Sequence, residues 1–131
     1  AGGLGTALMV FLNGTLKSGI ETVLDLVDFD EHLKDVDIVV TGEGTTDWQS
    51  VFGKVMQGVG VHCKKHHIPA VAIVGSMGSG AEDIFDYGIE SIITTVNNIM
   101  PLSDALNHAE ELYLGAARRM FRLLKAGMQM R

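Results

Sequence analysis

The chain has little of three things that mark other protein classes: cysteine, basic residues and long apolar runs. Cys63 is the single cysteine among 131 residues, which excludes internal disulfides and predicts a reducing compartment. Ten basic residues against sixteen acidic ones give a net charge of −6, which argues against a nucleic-acid partner because backbone binding needs a basic surface. No apolar run approaches the ~18 residues of a membrane span, and the first residues form no secretory signal. We therefore expect a cytoplasmic protein with neither a nucleic-acid nor a membrane partner.

Apolar residues are plentiful by contrast, and they predict a folded domain with apolar surface left over. They make up 47% of the chain, with a mean hydropathy of +0.24, which excludes disorder. The length predicts one domain, a single α/β segment over residues 1–131. The chain opens on Ala1-Gly2-Gly3 rather than on methionine. We expect a piece of a longer protein, whose surplus apolar surface packs on another copy or on the missing remainder.

Short β-branched runs alternate with helical patterns along the chain. The runs predict buried parallel strands at Asp37–Thr41, Ala70–Val74 and Ser91–Thr94. Capping boxes predict helix starts at Ser18 and at Ser79, a third helix is expected at about 53–66, and the last is expected after Pro101 with Ser103 as its cap. The order predicts a layered α/β fold, Rossmann- or flavodoxin-like, with about three parallel strands flanked by helices.

Each predicted strand is followed by a polar loop, at 42–47, 75–80 and 95–98. Ligands of open α/β sheets bind beyond the carboxyl ends of the strands, and glycines let the backbone approach an anion. The loops are therefore either a small-anion or phosphate site or simply structural turns. The P-loop and the dinucleotide fingerprint both fail, because the glycine spacings around Gly53-Lys54 and Gly42-Glu43-Gly44 do not match.

Two carboxylates and a lysine stand close together in the first of these regions. Glu43 and Asp47 could hold magnesium or take a proton, and Lys54 could steady a transferring phosphate. The structural alternative is that Asp47 caps a helix, Glu43 is solvated and Lys54 points to water. Both interpretations remain open on the chemistry alone. His62 and His66, four residues apart, lack the glutamate of a metalloprotease helix and are interpreted as a solvated helix end.

A longer motif runs from Thr41 to Val59 and reads Thr-Gly-Glu-Gly-x-x-Asp-x-Gln-Ser-x-x-Gly-Lys-x-x-x-Gly-Val. With the glycine-rich opening of the chain and the segment 68–76, it resembles the type I glycerate kinases, the bacterial glycerate 2-kinase family. Members are about three times as long, and the resemblance places this chain in their C-terminal third. It implies a fragment of a two-domain glycerate kinase fold, packed on the missing N-terminal part.

The resemblance implies ATP-dependent phosphorylation of glycerate with Mg²⁺, the fragment itself being inactive. It places Glu43, Asp47 and Lys54 as catalytic residues and Asp47 as the metal ligand, and the ATP- or substrate-binding positions are Gly42, Gly44, Gln49, Gly53 and Ser76. Thr45 stands where the family usually has arginine, and Met56 where it often has proline. The lost positive charge supports an alternative function, a non-catalytic anion-binding or oligomerisation module. A sugar- or nucleotide-binding regulatory domain is a third option.

Overall fold

A computed structural model describes residues 2–52 and 54–130. The described residues form, in chain order, α1 (Leu4–Leu12), α2 (Gly19–Leu26), α3 (Phe29–His32), β1 (Val39–Thr46), a first 3₁₀ helix (Trp48–Val51), α4 (Val55–Lys65), β2 (Ala70–Met77), a second 3₁₀ helix (Ala81–Tyr87), β3 (Ile89–Thr94), α5 (Leu102–Asn107) and α6 (Ala109–Gly127). The three strands form one parallel sheet in the order β1-β2-β3. The predicted α/β fold is confirmed.

Two strands extend further than their sequence predicts. Residues 42–46 and 75–77, expected as loops, continue β1 and β2, and Thr45 pairs with Ser76 near their ends. Glycine and glutamate have low strand propensity, but pairing with a neighbouring strand overrides it. The expected loops at the ligand edge are therefore shorter than predicted, and the strands carry Glu43 and Ser76 themselves.

The sheet is covered on both faces, as the continuous apolar runs predict. One face packs on α2 and α4 through the larger core cluster, which contains Leu24, Leu33, Met56, Val59, Cys63, Ala70, Ala72, Val74, Ile84 and Ile89. The other face packs on α6 through Val71, Ile73, Ala116 and Met120. The long helix α4 starts at the carboxyl edge of the sheet and ends before β2, so it connects two parallel strands across one face.

The predicted helix start at Ser18 is confirmed, because Ser18 is the N-cap residue of α2, but neither predicted capping box forms. Ser18 does precede α2, but its side chain makes no cap bond; its carbonyl instead accepts the Thr22 hydroxyl at 3.0 Å. The second box fails because Gly80, with φ of +73°, precedes the second 3₁₀ helix in place of Ser79. Glycine adopts this left-handed conformation without the penalty of a Cβ.

The last predicted helix is two helices. Helix α5 begins at Leu102, so Ser103 lies inside it rather than at its cap, and the break before α6 falls at His108. The His108 backbone N–H still donates to Asp104 O at 3.0 Å. The apolar stripe of α6 holds for Leu112, Ala116 and Met120, which are buried, whereas Leu123 at its end is exposed.

The chain exposes more surface than its size predicts. Its accessible surface is 9211 Å², against roughly 6,700 Å² for a compact monomer of this mass by the area-to-mass scaling. No residue of α1 is buried, and large apolar side chains such as Phe11 and Phe121 lie in the open. The expected apolar surface is therefore present. Over residues 2–52 and 54–130, none of the helices combines the length and apolar character needed to cross a membrane.

Candidate functional site

The carboxyl ends of β1 and β2 bring two of the predicted loops together. The hydroxyls of Thr45 and Ser76 lie 3.0 Å apart across the two strands. Just beyond them, the Gly78 N–H donates to the Thr46 carbonyl at 2.7 Å. This edge of the sheet is where open α/β folds place their ligands. The predicted position Ser76 is exposed there, on the same edge as Glu43.

Asp47 directly follows β1 and caps the first 3₁₀ helix. Its Oδ1 accepts the Gln49 N–H at 2.8 Å, and Asp47 and Ser50 form a reciprocal capping box. The structural alternative for Asp47 is thus confirmed, which leaves its role as a metal ligand a prediction. Asp47 is half-buried. Gln49 contacts the Asp47 carboxylate through its backbone N–H, and the Gln49 side chain is exposed.

Glu43 is half-buried rather than solvated. Its Oε2 accepts the Ser50 hydroxyl at 3.3 Å. The same Ser50 oxygen accepts the backbone N–H of Asp47 at 3.3 Å, so one serine contacts both acidic residues of the motif. Ser50 is fully buried. Sequence reasoning gave it no role, although the Asp-x-x-Ser spacing is the pattern of a capping box.

Lys54 follows the first 3₁₀ helix and is the N-cap residue of α4. Its side chain is exposed, and within the described part of the chain no ion pair involves its ammonium. The first turn of α4 contains no acidic residue, so the positive end of the helix dipole is not offset there. Lysine and helix end together favour an anionic neighbour. The neighbouring predicted position, Gly53, lies outside the described residues.

Two glycines of these strands allow the close approach of β1 to β2 rather than a turn. A Cβ on Gly42 would lie 2.3 Å from the Ile73 carbonyl oxygen, and one on Gly75 would lie 2.4 Å from that of Gly44. Gly44 itself has nothing within 4 Å of an added Cβ. The close approach of β1 to β2 therefore requires glycine at two positions, and Gly44 leaves open surface beside Glu43.

A basic residue that sequence reasoning assigned only to the helix end reaches this edge from α6. The Arg119 guanidinium donates to the Thr94 carbonyl at 2.9 Å, at the last residue of β3. Thr94 also donates its hydroxyl to the Val96 carbonyl at 3.1 Å. The positive charge of Arg119 therefore lies at the start of the third predicted loop. This contact joins residues that are 25 positions apart in the sequence.

The histidines lie at the other end of α4 and are not a solvated helix end. His62 Nδ1 lies 2.5 Å from Asp30 Oδ1, and its Nε2 lies 3.1 Å from Glu21 Oε2. Burial lowers the pKa of His62, but its hydrogen bonds to these carboxylates outweigh burial and raise it. The Lys65 ammonium, with the His62 ring, holds the pKa of Asp30 well below its usual range.

These contacts join α4 to α2 and α3, so the histidine region is structural. Among the described residues, no cluster of three or more histidine, cysteine, aspartate or glutamate side chains is arranged to hold a metal ion. A magnesium ion, which takes few protein ligands and keeps several waters, requires less than such a cluster. The carboxylate and hydroxyl oxygens of Glu43, Asp47, Thr45 and Ser76 along this edge are of the ligand type that magnesium prefers.

Comparisons with known proteins identify relatives of this chain. A sequence profile of the glycerate kinase family matches residues 1–125. The glycerate kinase of Halalkalibacterium halodurans is 42% identical over 120 residues, which cover 92% of this chain and 32% of that protein. The glycerate 2-kinase of Escherichia coli K12 is 39% identical over 129 residues, covering 98% of this chain and 34% of that protein.

A solved structure agrees. The crystal structure described as glycerate kinase 2 from Salmonella typhimurium LT2 superposes with a TM-score of 0.73 at 37% identity, covering 99% of this chain and 33% of that one. The chain thus spans about a third of the length of the relatives it matches.

Proposed function

Since this chain belongs to the glycerate kinase family, we propose that it is part of a longer enzyme that transfers a phosphoryl group from ATP to glycerate. The carboxyl edge of β1 and β2 supplies one wall of the active site. The relatives are named for this activity, and the resemblance of residues 41–59 to the family motif covers this edge.

One observation carries the proposal: Glu43 and Asp47 contact the same buried serine at an open sheet edge. The Glu43 carboxylate accepts the Ser50 hydroxyl and the Asp47 carboxylate caps the helix that carries Ser50, so both acids add negative charge to this edge. Within the described residues, neither forms an ion pair with a basic side chain. Such a pair favours a divalent cation or a shared proton. Phosphoryl transfer uses both.

The residues take separate roles. Glu43 accepts the proton of the attacking glycerate hydroxyl, since only its Oε2 is used by Ser50. Asp47 would hold Mg²⁺ through a carboxylate oxygen, and the ion would supply positive charge against the phosphates. Lys54, at the N-terminal end of α4, binds a phosphate. Gly44 leaves the approach to Glu43 open.

The proposal also accounts for the excess surface. Interfaces of permanent assemblies bury on the order of 2,000 Å² or more, and this chain exposes about that much beyond a compact monomer of its mass. We infer that the rest of the longer enzyme covers the apolar surface and completes the cleft. The isolated chain is then inactive.

The test uses the full-length protein in an assay of ATP-dependent glycerate phosphorylation. The variants are Glu43→Gln, Asp47→Asn and Lys54→Ala. The matched charge control is Glu111→Gln, at an exposed position of α6. Asparagine caps a helix about as well as aspartate, so Asp47→Asn removes the charge and keeps the cap. Each site variant should lose about a hundredfold in kcat or more.

Full turnover in all three site variants would place the site elsewhere.

Calorimetry with ATP and with glycerate separates the enzyme from an anion-binding or assembly module. The enzyme should release or absorb heat with both ligands, whereas a pure assembly module should respond to neither. Binding without phosphorylation would favour the module, in keeping with Thr45 in place of the family's arginine.

A further inference from the structure

Among the described residues, Thr46 and Ser50 are the two fully buried polar side chains, each 0% exposed. Burying a hydroxyl costs free energy unless it is hydrogen-bonded, so a buried pair is retained only where its bonds are made. Both lie directly beneath the candidate site, at the end of β1 and in the first 3₁₀ helix. Their position calls for an explanation that packing alone does not supply.

The hydrogen bonds of this pair run in one direction. The Thr46 hydroxyl donates to Ser50 Oγ at 3.0 Å, and the Asp47 N–H donates to the same oxygen at 3.3 Å. A serine hydroxyl accepts two hydrogen bonds and donates one. With both acceptor positions filled, the single Ser50 proton is directed to Glu43 Oε2, 3.3 Å away.

The segment that holds Ser50 is anchored on both sides. Asp47 caps the 3₁₀ helix that carries it, and the Trp48 N–H donates to the Ser79 carbonyl at 3.0 Å in the loop after β2. The serine therefore has little freedom to move away from Glu43. A fixed donor on one carboxylate oxygen sets the plane of the carboxylate, which leaves its other oxygen for the ligand side.

From this geometry we propose that Ser50 is a positioning residue: its hydroxyl orients the Glu43 carboxylate and spaces it from Asp47. The inference rests on the proposed function, in which Glu43 takes a proton. Ser50 touches no reacting atom, and its effect passes through Glu43. Thr46 acts one step further back, by fixing the rotation of the Ser50 hydroxyl.

The test is a double-mutant cycle in the full-length protein, with Ser50→Ala, Glu43→Gln and the double variant. Misplacing a reacting group by even an ångström costs up to about a hundredfold, so Ser50→Ala should lower kcat between about tenfold and about a hundredfold. KM should change by less than about threefold, because the substrate contacts remain. In the Glu43→Gln background, the same serine change should lower kcat by less than about threefold.

Thr46→Val and Thr46→Ser are the matched pair that keeps the inference testable if Ser50→Ala folds poorly. Valine keeps the shape of the threonine side chain but removes its hydroxyl donor, whereas serine keeps the hydroxyl. Only Thr46→Val should therefore reduce kcat. Both variants should give the circular dichroism spectrum of the wild type. Equal losses from Ser50→Ala with and without Glu43 would overturn the positioning role. An inactive wild type, or a fully active Glu43→Gln, would overturn the proposed function instead.

Discussion

Replacing Gly42 by alanine tests the claim that glycine is required where β1 approaches β2. The new methyl group would lie 2.3 Å from the Ile73 carbonyl oxygen, in the strand that pairs with Gly42. Backbone cannot rotate away as a flexible side chain does. Since heavy atoms in contact lie about 3.5 Å apart, the strands must separate locally by roughly 1 Å.

The cost follows from that displacement. About two interstrand hydrogen bonds are stretched, each contributing about 1 kcal/mol, and the overpacked site adds about 1–3 kcal/mol. Removing a glycine from a strand returns only about 0.5–1 kcal/mol. We expect Gly42→Ala to lower the free energy of unfolding by about 2–4 kcal/mol.

Gly44→Ala is the matched control in the same strand, since nothing lies within 4 Å of its added Cβ. It should be neutral or stabilise by up to about 1 kcal/mol. Urea unfolding of both variants, followed by circular dichroism, measures the difference. If the two variants differ by less than about 0.5 kcal/mol, the strand approach does not constrain residue 42 and the reasoning fails.

Two further predictions concern helix α4. The raised pKa of His62 means that its ion pairs stabilise fully below its unfolded pKa of about 6.5, and this contribution is lost as pH rises through the higher folded pKa. The urea midpoint of wild type should therefore decrease as pH rises above that range, and the midpoint of His62→Gln should change less. The difference corresponds to on the order of 1 kcal/mol in the free energy of unfolding, because the partner carboxylates are partly exposed. Parallel plots of midpoint against pH for the two proteins would contradict this. Burial raises the pKa of the Cys63 thiol to about 11, so a thiol reagent at pH 8 should label it only after urea unfolds the protein, whereas rapid labelling of native protein would show that the core does not enclose it.

Much of the fold could be predicted from the sequence because its signals are local. Runs of β-branched residues place the cores of all three strands, and the expected helix at about 53–66 lies within two residues of the observed bounds of α4. The ends of β1 and β2 could not be placed, because residues such as Thr45 and Ser76 extend the strands only through pairing with each other. The sequence of one strand does not specify which residues of the neighbouring strand it pairs with.

The candidate site was only partly predictable for the same reason. The spacing of Glu43 and Asp47 places both acids at the carboxyl end of β1, and the alternative that Asp47 caps a helix is confirmed; their catalytic roles stay predictions. The role of Ser50 depends on which hydroxyl donates to which oxygen, and no composition or period encodes that order. His62 was misread because its partner Asp30 is 32 residues away in the chain.

The strand order has a consequence for cooperativity. Each strand of the described sheet pairs only with the next strand along the chain. Because the pairing is parallel, it joins residues such as Thr45 and Ser76, 31 positions apart, and such pairs form more slowly than local contacts. β2 alone belongs to both ladders, and its Val71 and Val74 enter the cores of opposite faces. Unfolding of that one strand removes every ladder in the described sheet at once, so the two layers of helices melt as one unit.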